Sequence, residues 1–195
     1  STGASMGGRA DNTWSGSSRP THLLFYTTPS GSNSSSERMR IHSDGYVTTP
    51  SQPAFAARLN SNVNITSNTG NDLVFNLEEF DNHNDYDTSN GRFTVPIAGK
   101  YYFGVQLYAG FDGAGVRVMH SHFRVNGTSV AQTDMFGGAS NHGGTFYHPN
   151  AVGVMMRELN KNDYVTWNIG GFSHTGGSAV LYSGTGCRFF GHLVT

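Results

Sequence analysis

The clearest candidates for chemistry in this 195-residue chain are histidines and carboxylates that stand close together in sequence. His120 and His122 are separated by one residue, so on a β-strand both imidazoles point to the same side. Copies of this pair around a threefold axis would bring six ring nitrogens together, which suits an octahedral transition metal. The alternative, which we favour, is a pair of surface or interface histidines beside Arg117 and Arg124.

A second candidate metal site is the oxygen-rich stretch that contains Asp81, Asp85 and Asp87 among several asparagines. Loops rich in carboxylate and amide oxygens can hold calcium. However, the EF-hand arrangement of acidic residues, a glycine and a closing glutamate is absent. We therefore expect the protein to need no metal or other cofactor.

No catalytic set is recognisable, and we predict that the protein is not an enzyme. Glu78 and Glu79 are adjacent, so on a strand they face opposite sides and cannot act as a carboxylate pair. The sequence has neither a nucleophile elbow nor a glycine-rich phosphate loop. Cys187, the single cysteine, precedes Arg188 and two phenylalanines, a context typical of a buried and inert thiol.

The composition excludes several classes of partner. The formal net charge is −1 and only 13% of residues are charged, so we expect binding to neither nucleic acid nor an anionic membrane. No apolar run approaches the ~20 residues of a membrane span. The chain begins Ser-Thr-Gly without a recognisable targeting signal, so we expect it to be part of a longer or processed protein.

The texture of the chain changes near residue 50, which predicts two domains, 1–50 and 51–195. Within the first, Ser1–Pro20 is predicted to lack regular structure unless a partner covers it. The segment from Glu37 to Val47 is predicted to form a hairpin that turns at Asp44-Gly45. So few apolar residues cannot stabilise an isolated hairpin, so this domain needs other chains to bury it.

The second domain has the pattern of an antiparallel β-fold. Tyr101, Phe103 and Val105 alternate with residues of the opposite face, which indicates a strand with one buried side. Asn126-Gly127 favours a tight hairpin turn. The predicted strands are Ala54–Leu59, Leu73–Leu77, Arg92–Val95, Lys100–Ala109, Val116–Val125, Thr128–Phe136, Val152–Leu159, Tyr164–Ile169 and Cys187–Val194.

Aromatic residues at fixed spacing in this domain match a known signature. The series consists of Phe75, Asp81, Tyr86, Phe93 and the run Gly99-Lys100-Tyr101-Tyr102-Phe103. It resembles the signature of the globular C1q domain, which is related to the tumour necrosis factor fold. Only the last aromatic position of the signature differs, where Val105 stands, and His192 replaces an aromatic in the closing run Phe189–Leu193. The resemblance implies an all-β, antiparallel jelly-roll sandwich that forms a trimer.

A second resemblance covers the first domain. Leu-x-Phe-Tyr-Thr from Leu23, followed by Glu-Arg-Met-Arg-Ile-x-Ser-x-Gly-x-Val from Glu37, resembles a segment common near the distal ends of bacteriophage tail fibres and tailspikes. Such segments form intertwined trimeric β-structure. The resemblance implies a short intertwined β fibre segment that carries the second domain as a head.

The connections of the second domain alternate between short and long. A jelly roll places successive connections at alternate ends, so the long ones are expected together at the end away from both termini. Loops on a rigid scaffold concentrate binding residues. Hydrogen-bonding and ring-stacking groups in these loops suit sugars or protein surfaces. The predicted receptor-binding residues are His83, Asp85, Phe111, Asp112, Asn141, His142, His174 and Tyr182.

We therefore expect a non-catalytic virion adhesin, the trimeric distal head of a phage tail fibre. It would act outside the cell, bind a bacterial surface glycan or envelope protein, and join other tail proteins through its N-terminal side. Two alternatives stay open. The second domain could be a structural unit that nucleates trimerisation and caps the fibre, or the protein could be a secreted C1q-like lectin.

Overall fold

The computed structural model describes residues 3–65, 70–111, 117–137, 150–173 and 179–195. Every regular element within these ranges is a β-strand. The chain divides into two compact units, Ser1–Gln52 and Pro53–Thr195. We refer to them as the N-terminal unit and the head.

The N-terminal unit is one antiparallel sheet with the strand order β1-β2-β3-β4. Its strands are β1 Ala4–Ala10, β2 Thr21–Thr27, β3 Ser36–Ile41 and β4 Val47–Thr48. The expectation that Ser1–Pro20 lacks regular structure is wrong, because β1 pairs with β2 along its whole length. Backbone groups make that ladder, so β1 needs no apolar alternation of its own. The predicted turn is confirmed, since Gly45 takes a φ of +89°.

The head consists of two antiparallel sheets packed face to face, the sandwich expected of a jelly roll. Its strands are β5 Ala54–Arg58, β6 Val63–Ile65, β7 Asn71–Asp72, β8 Leu77–Asp81, β9 Tyr86–Asp87, β10 Arg92–Thr94, β11 Gly99–Phe111, β12 Arg117–Val125, β13 Thr128–Gly137, β14 Asn150–Leu159, β15 Tyr164–Ser173, β16 Ala179–Leu181 and β17 Arg188–Leu193. The first sheet has the order β6-β16-β11-β17-β5-β8, with β14 also paired to β11. The second has the order β13-β12-β15-β10-β9, with β7 also paired to β15.

The core between the two sheets is aromatic. Phe55 is its centre, with ring centroids 4.8 Å from both Tyr86 and Phe93 and 5.0 Å from Phe189. Such pairs contribute about 0.5–1.5 kcal/mol each beyond the burial of their area. The largest fully buried side chains are Trp167, Tyr101, Phe55, Phe75, Phe93, Phe103, Phe123, Phe189, Leu59, Leu107 and Met119.

One predicted strand of the head, Leu73–Leu77, is wrong. Residues 73–76 have no strand pairing, and the strand that follows them is β8. Leu73 and Phe75 are buried all the same. The Leu73 amide donates to the Trp167 carbonyl at 2.7 Å. Their alternation therefore reflects burial of side chains from an irregular segment, and it was indistinguishable in sequence from a strand.

Both termini of the head lie at one end of the sandwich, as expected. The Leu193 amide donates to the Pro53 carbonyl at 2.9 Å, and the Lys100 amide donates to the Thr195 carbonyl at 2.8 Å. We call this the terminal end and the opposite one the distal end. The predicted hairpin turn at Asn126-Gly127 is confirmed, since its residues take φ values of 50° and 78°.

Candidate functional site: an outward apolar face and the loops at both ends

The outward side of the first head sheet carries side chains in register across four strands. On β11, Tyr101, Phe103 and Val105 are buried in the core, so Tyr102 and Gly104, between them, point outward. The pairing registers arrange the outward residues in the rows Met156–Tyr102–His192–Ala54, Val154–Gly104–Phe190–Ala56 and Val152–Gln106–Arg188–Arg58.

Large apolar side chains are uncovered along these rows. On β14, Val152, Val154 and Met156 are 66%, 55% and 65% exposed, and Phe80 on β8 is 51% exposed. Single exposed apolar residues are ordinary, but contiguous ones mark contact surfaces. We call this surface the head's apolar face, formed by Ala54, Ala56, Phe80, Tyr102, Val152, Val154, Met156 and Phe190.

A cleft of about 420 Å³ opens in this face between Phe80 and Phe190. The Phe190 ring lies directly over Gly104, where any Cβ would overlap it. Glycine therefore lets the ring pack closely against the backbone of β11.

An ion-pair cluster borders the cleft. One carboxylate oxygen of Glu79 lies 3.4 Å from Arg58 Nε and 2.9 Å from Arg188 Nη2. The Glu79 carboxylate thus offsets one of the two arginine charges, and the cluster keeps a net charge of about +1 at neutral pH. The surface has an apolar centre and a charged border, the arrangement found in protein interfaces.

The loop that contains His83 and Asp85 lies at the terminal end. The prediction that it joins the other long loops at the distal end is therefore wrong. The Asn82 amide donates to the Ala54 carbonyl at 3.0 Å, directly beside Pro53. The reason is that β8 runs antiparallel to β5, so β8 ends where β5 begins.

This loop is fixed by the Asp81 carboxylate. Asp81 accepts hydrogen bonds from the backbone amides of His83 at 3.1 Å and Tyr86 at 2.7 Å. Burial, together with the charge of Asp81, raises the pKa of Asp85. Within the described part of the chain, one Asp85 carboxylate oxygen is buried without a hydrogen-bond partner. Asp85 is half-buried, whereas His83 is exposed.

Tyr182 lies at the distal end, away from His83 and Asp85. Its amide donates to the Tyr108 carbonyl at 3.0 Å, and the two rings are 5.2 Å apart. The Tyr182 side chain is half-buried and packs over Gly110. It therefore belongs to the packing at the base of the distal loops.

The other predicted receptor-binding residues contribute no described side chain. Phe111 is the last residue of β11, where its backbone pairs with Ala179. Asp112, Asn141, His142 and His174 lie outside the described residues. Their role in binding a receptor stays a prediction.

His120 and His122 share one side of β12, as expected, because Met119, Ser121 and Phe123 are buried between and beside them. They lie on the outer side of the second sheet. His122 covers Gly170, where a Cβ would stand 2.7 Å from its Nε2. Among the described residues, no group of three or more His, Cys, Asp or Glu is arranged to hold a metal ion.

The comparison that decides the family covers most of the head. The C1q domain family matches residues 54–194. The chain belongs to the C1q domain family. No curated protein sequence matches it, and within the described ranges no helix has the length and apolar character that a membrane crossing requires.

The C1q chain is similar to several solved structures at low identity. The globular domain of zebrafish complement 1qA protein shares 19% identity, with a TM-score of 0.47 over 74% of this chain and 98% of that one. The Eiger TNF from S. frugiperda shares 10%, with a TM-score of 0.48 over 74% and 92%. Murine APRIL shares 14%, with a TM-score of 0.48 over 73% and 99%.

The C1q signature residues have structural roles in this chain. The Tyr86 hydroxyl donates to the Phe75 carbonyl at 3.1 Å and accepts from the Phe75 amide at 3.2 Å. Burial raises the pKa of Tyr86, which keeps the phenol protonated for this pair of bonds. At Gly99, a Cβ would stand 2.8 Å from the Thr195 carbonyl oxygen, so glycine permits the close approach of the C-terminus.

The exposed apolar residues of β14 are functional candidates that the sequence reasoning missed. The available signal was the run from Ala151 to Met156, which contains no polar side chain. A half-exposed strand alternates, whereas a strand covered on both sides is apolar throughout. In β14 only one of those sides is covered, with Ala151 and Met155 buried.

Proposed function

We propose that the C1q head assembles as a homotrimer through the head's apolar face and acts as a non-catalytic recognition module. The observation that carries this proposal is the contiguous exposure of Val152, Val154 and Met156 beside the cleft at Phe80 and Phe190. The exposed side chains of β14 and the cleft are different parts of the head's apolar face. A contact between β14 of one copy and the cleft of the next is heterologous, and a closed ring gives every copy both contacts.

This assembly also bears on the candidate metal site. His120 and His122 lie on the outer side of the second sheet, opposite the head's apolar face. A trimer built on the apolar face points these histidines outward, so three copies of the pair do not meet on the axis. No metal or other cofactor is part of the proposal.

We further propose that the chain is the distal head of a phage tail fibre or related virion appendage, outside the cell, that binds a bacterial surface glycan or envelope protein. The support is the tail-fibre-like segment of the N-terminal unit. In this proposal the N-terminal side of the chain joins other tail proteins. Weak contacts repeated over three heads add up to useful avidity. The receptor-binding residues proposed at the distal end are Phe111, Asp112, Asn141, His142, His174 and Tyr182, while His83 and Asp85 would form a separate surface at the terminal end.

The assembly is tested with the full chain by sedimentation velocity. We expect wild type to be a trimer and Val154→Asp to be a monomer with unchanged β-sheet circular dichroism, because burying an unpaired carboxylate costs several kcal/mol. Ser129→Asp is the matched control, because Ser129 is exposed on the second sheet. A wild-type monomer at micromolar concentration would refute the trimer.

Recognition is tested in the virion. The segment 137–145 is replaced by Gly/Ser of equal length, and both trimer assembly and adsorption to bacteria are measured. Intact trimers with lost adsorption support the adhesin. Intact trimers with unchanged adsorption remove it and leave the capping role, whereas binding of the isolated chain to soluble glycans but to no bacterium would favour the C1q-like lectin.

A further inference from the structure

The N-terminal sheet carries two rows of large apolar side chains on a face in which no residue is fully buried. Because residues i and i+2 share a face, the pairing registers place Met6, Phe25 and Met39 in one row and Leu23, Ile41 and Val47 in the next, on the same side of the sheet. We call these six residues the apolar sheet face. Met6 is 67% exposed and Val47 is 55% exposed. No residue of this face is fully buried.

The opposite face carries charged and polar groups, several of which pair with one another, although His22 Nδ1 is buried without a hydrogen-bond partner in the part of the chain that the structure describes. Arg40 donates two hydrogen bonds to the Glu37 carboxylate, at 2.9 and 2.7 Å. His22 Nε2 lies 3.0 Å from Asp11, and the His22 and His42 rings meet at 5.5 Å. Leu24 and His22 lie on this face, and they are the two buried residues among the described residues of the unit. The polar face therefore already has internal contacts in the single chain, whereas the apolar sheet face remains uncovered.

We infer that the apolar sheet face packs against the same face of sister copies, side chain against side chain. This inference rests on the proposed homotrimer. The six residues carry no charge, so identical faces meet without repulsion. Arg38, the extra residue of the bulge in β3, is turned to the hydroxyls of Thr27 and Ser51. An isolated sheet that buries so little needs a partner on its apolar side.

Of the partners that could cover the apolar sheet face, the other copies of the chain in the same trimer have the highest local concentration. The sheet ends at Thr48, and the head begins at Pro53. Once three heads are joined, the sheets are tethered to the same assembly at an effective concentration on the order of millimolar. Addition of strands in a closed ring would join the edge strand β1 of one copy to the edge strand β4 of the next. This is a poorer route, because β4 has only two residues and offers a short ladder.

The test uses single cysteines at neighbouring positions of β1 in the full chain. Met6→Cys lies on the apolar sheet face and Ser5→Cys on the opposite one, while both are exposed in the single chain. The native Cys187 is buried, and its background is measured in wild type. We expect maleimide labelling of Met6→Cys to be slower than that of Ser5→Cys by about tenfold or more, because access limits thiol reactivity. Adding Ile41→Lys should restore fast labelling.

Sedimentation of the same samples separates the possible failures. A trimer in which the two cysteines react equally fast overturns the sheet packing and leaves the head trimer standing. A monomeric wild-type chain overturns both. Protection of Met6→Cys in a trimer, lost with Ile41→Lys while the trimer persists, supports the inference. Peroxide oxidation of wild-type Met6, compared in native and denatured protein, gives the same comparison without a substitution.

Discussion

Gly191 occupies a tightly packed position in the head core. It lies on β17 between Phe190 and His192 and faces inward. A Cβ at this position would stand 2.8 Å from Phe103 Cε1 and 3.1 Å from Phe55 Cε1. Normal separations between carbon atoms are about 3.5–4.0 Å. We therefore predict that Gly191→Ala destabilises the head.

The expected size of the effect follows from how little the two rings can move. Phe103 is 0% exposed and Phe55 is 1% exposed, and each ring also packs against Phe93 and Phe189. Overpacking a core by one methyl group costs about 1–3 kcal/mol, and two trapped rings place Gly191→Ala in the upper half of that range. For a unit of this size, about 2–4 °C of Tm corresponds to each kcal/mol, so Tm should fall by roughly 5–10 °C.

The assay is thermal unfolding of the full chain at one fixed protein concentration, because oligomers melt at concentration-dependent temperatures. Gly7→Ala is the control, since nothing lies within 4 Å of a Cβ there. Phe103→Leu supplies the second variant, because it removes the ring edge that the new methyl meets. The double variant should lose less stability than the sum of the two single ones. Wild-type melting of Gly191→Ala, or strictly additive losses, would refute the reasoning.

Two further predictions concern titratable groups. Burial raises the pKa of the Cys187 thiol, and the thiol also hydrogen-bonds to the Tyr108 backbone. A disulfide reagent should therefore label Cys187 only as fast as the head unfolds. Rapid labelling of the native protein would contradict this prediction. Hydrogen bonds from Asn126 and the Asn160 amide lower the pKa of Asp163 from its ordinary 3.8. The contribution of the ionised Asp163 carboxylate to the stability of the fold is present above the ordinary pKa. This contribution is lost as pH falls through the lowered pKa. Asp163→Ala should therefore lower Tm at pH 7, and its difference from wild type should shrink at pH 2; a constant difference would disprove the linkage.

The aromatic signature made the head predictable because each of its residues has a local or short-range reason. Tyr86 anchors the irregular segment at Phe75 through its hydroxyl, and Phe93 and Phe103 fill the core. Turn chemistry was equally local: Asn126-Gly127 tolerates positive φ wherever it occurs. These features follow from residue types and spacing, so they were visible before any contact was known.

Other features depended on partners that are distant in sequence. β1 forms because Thr21–Thr27 offers it a backbone ladder, although most of its own residues are small. The loop of His83 and Asp85 lies at the terminal end because β8 pairs with β5 and not with a neighbour along the chain. Periodicity gives no information about which strand a segment will pair with.

The sequence by itself determined the all-β class, the aromatic core and the tight turns, because these follow from residue types and their spacing over short stretches of the chain. Only the tertiary structure decided which sides of the sheets stay uncovered. Val152, Val154 and Met156 become one surface with Phe80 and Phe190 through strands that are far apart in the chain. Long-range strand pairing likewise placed the loop of His83 and Asp85 at the opposite end from Tyr182. A face is a property of sheet order and register, and both are set by contacts between distant segments.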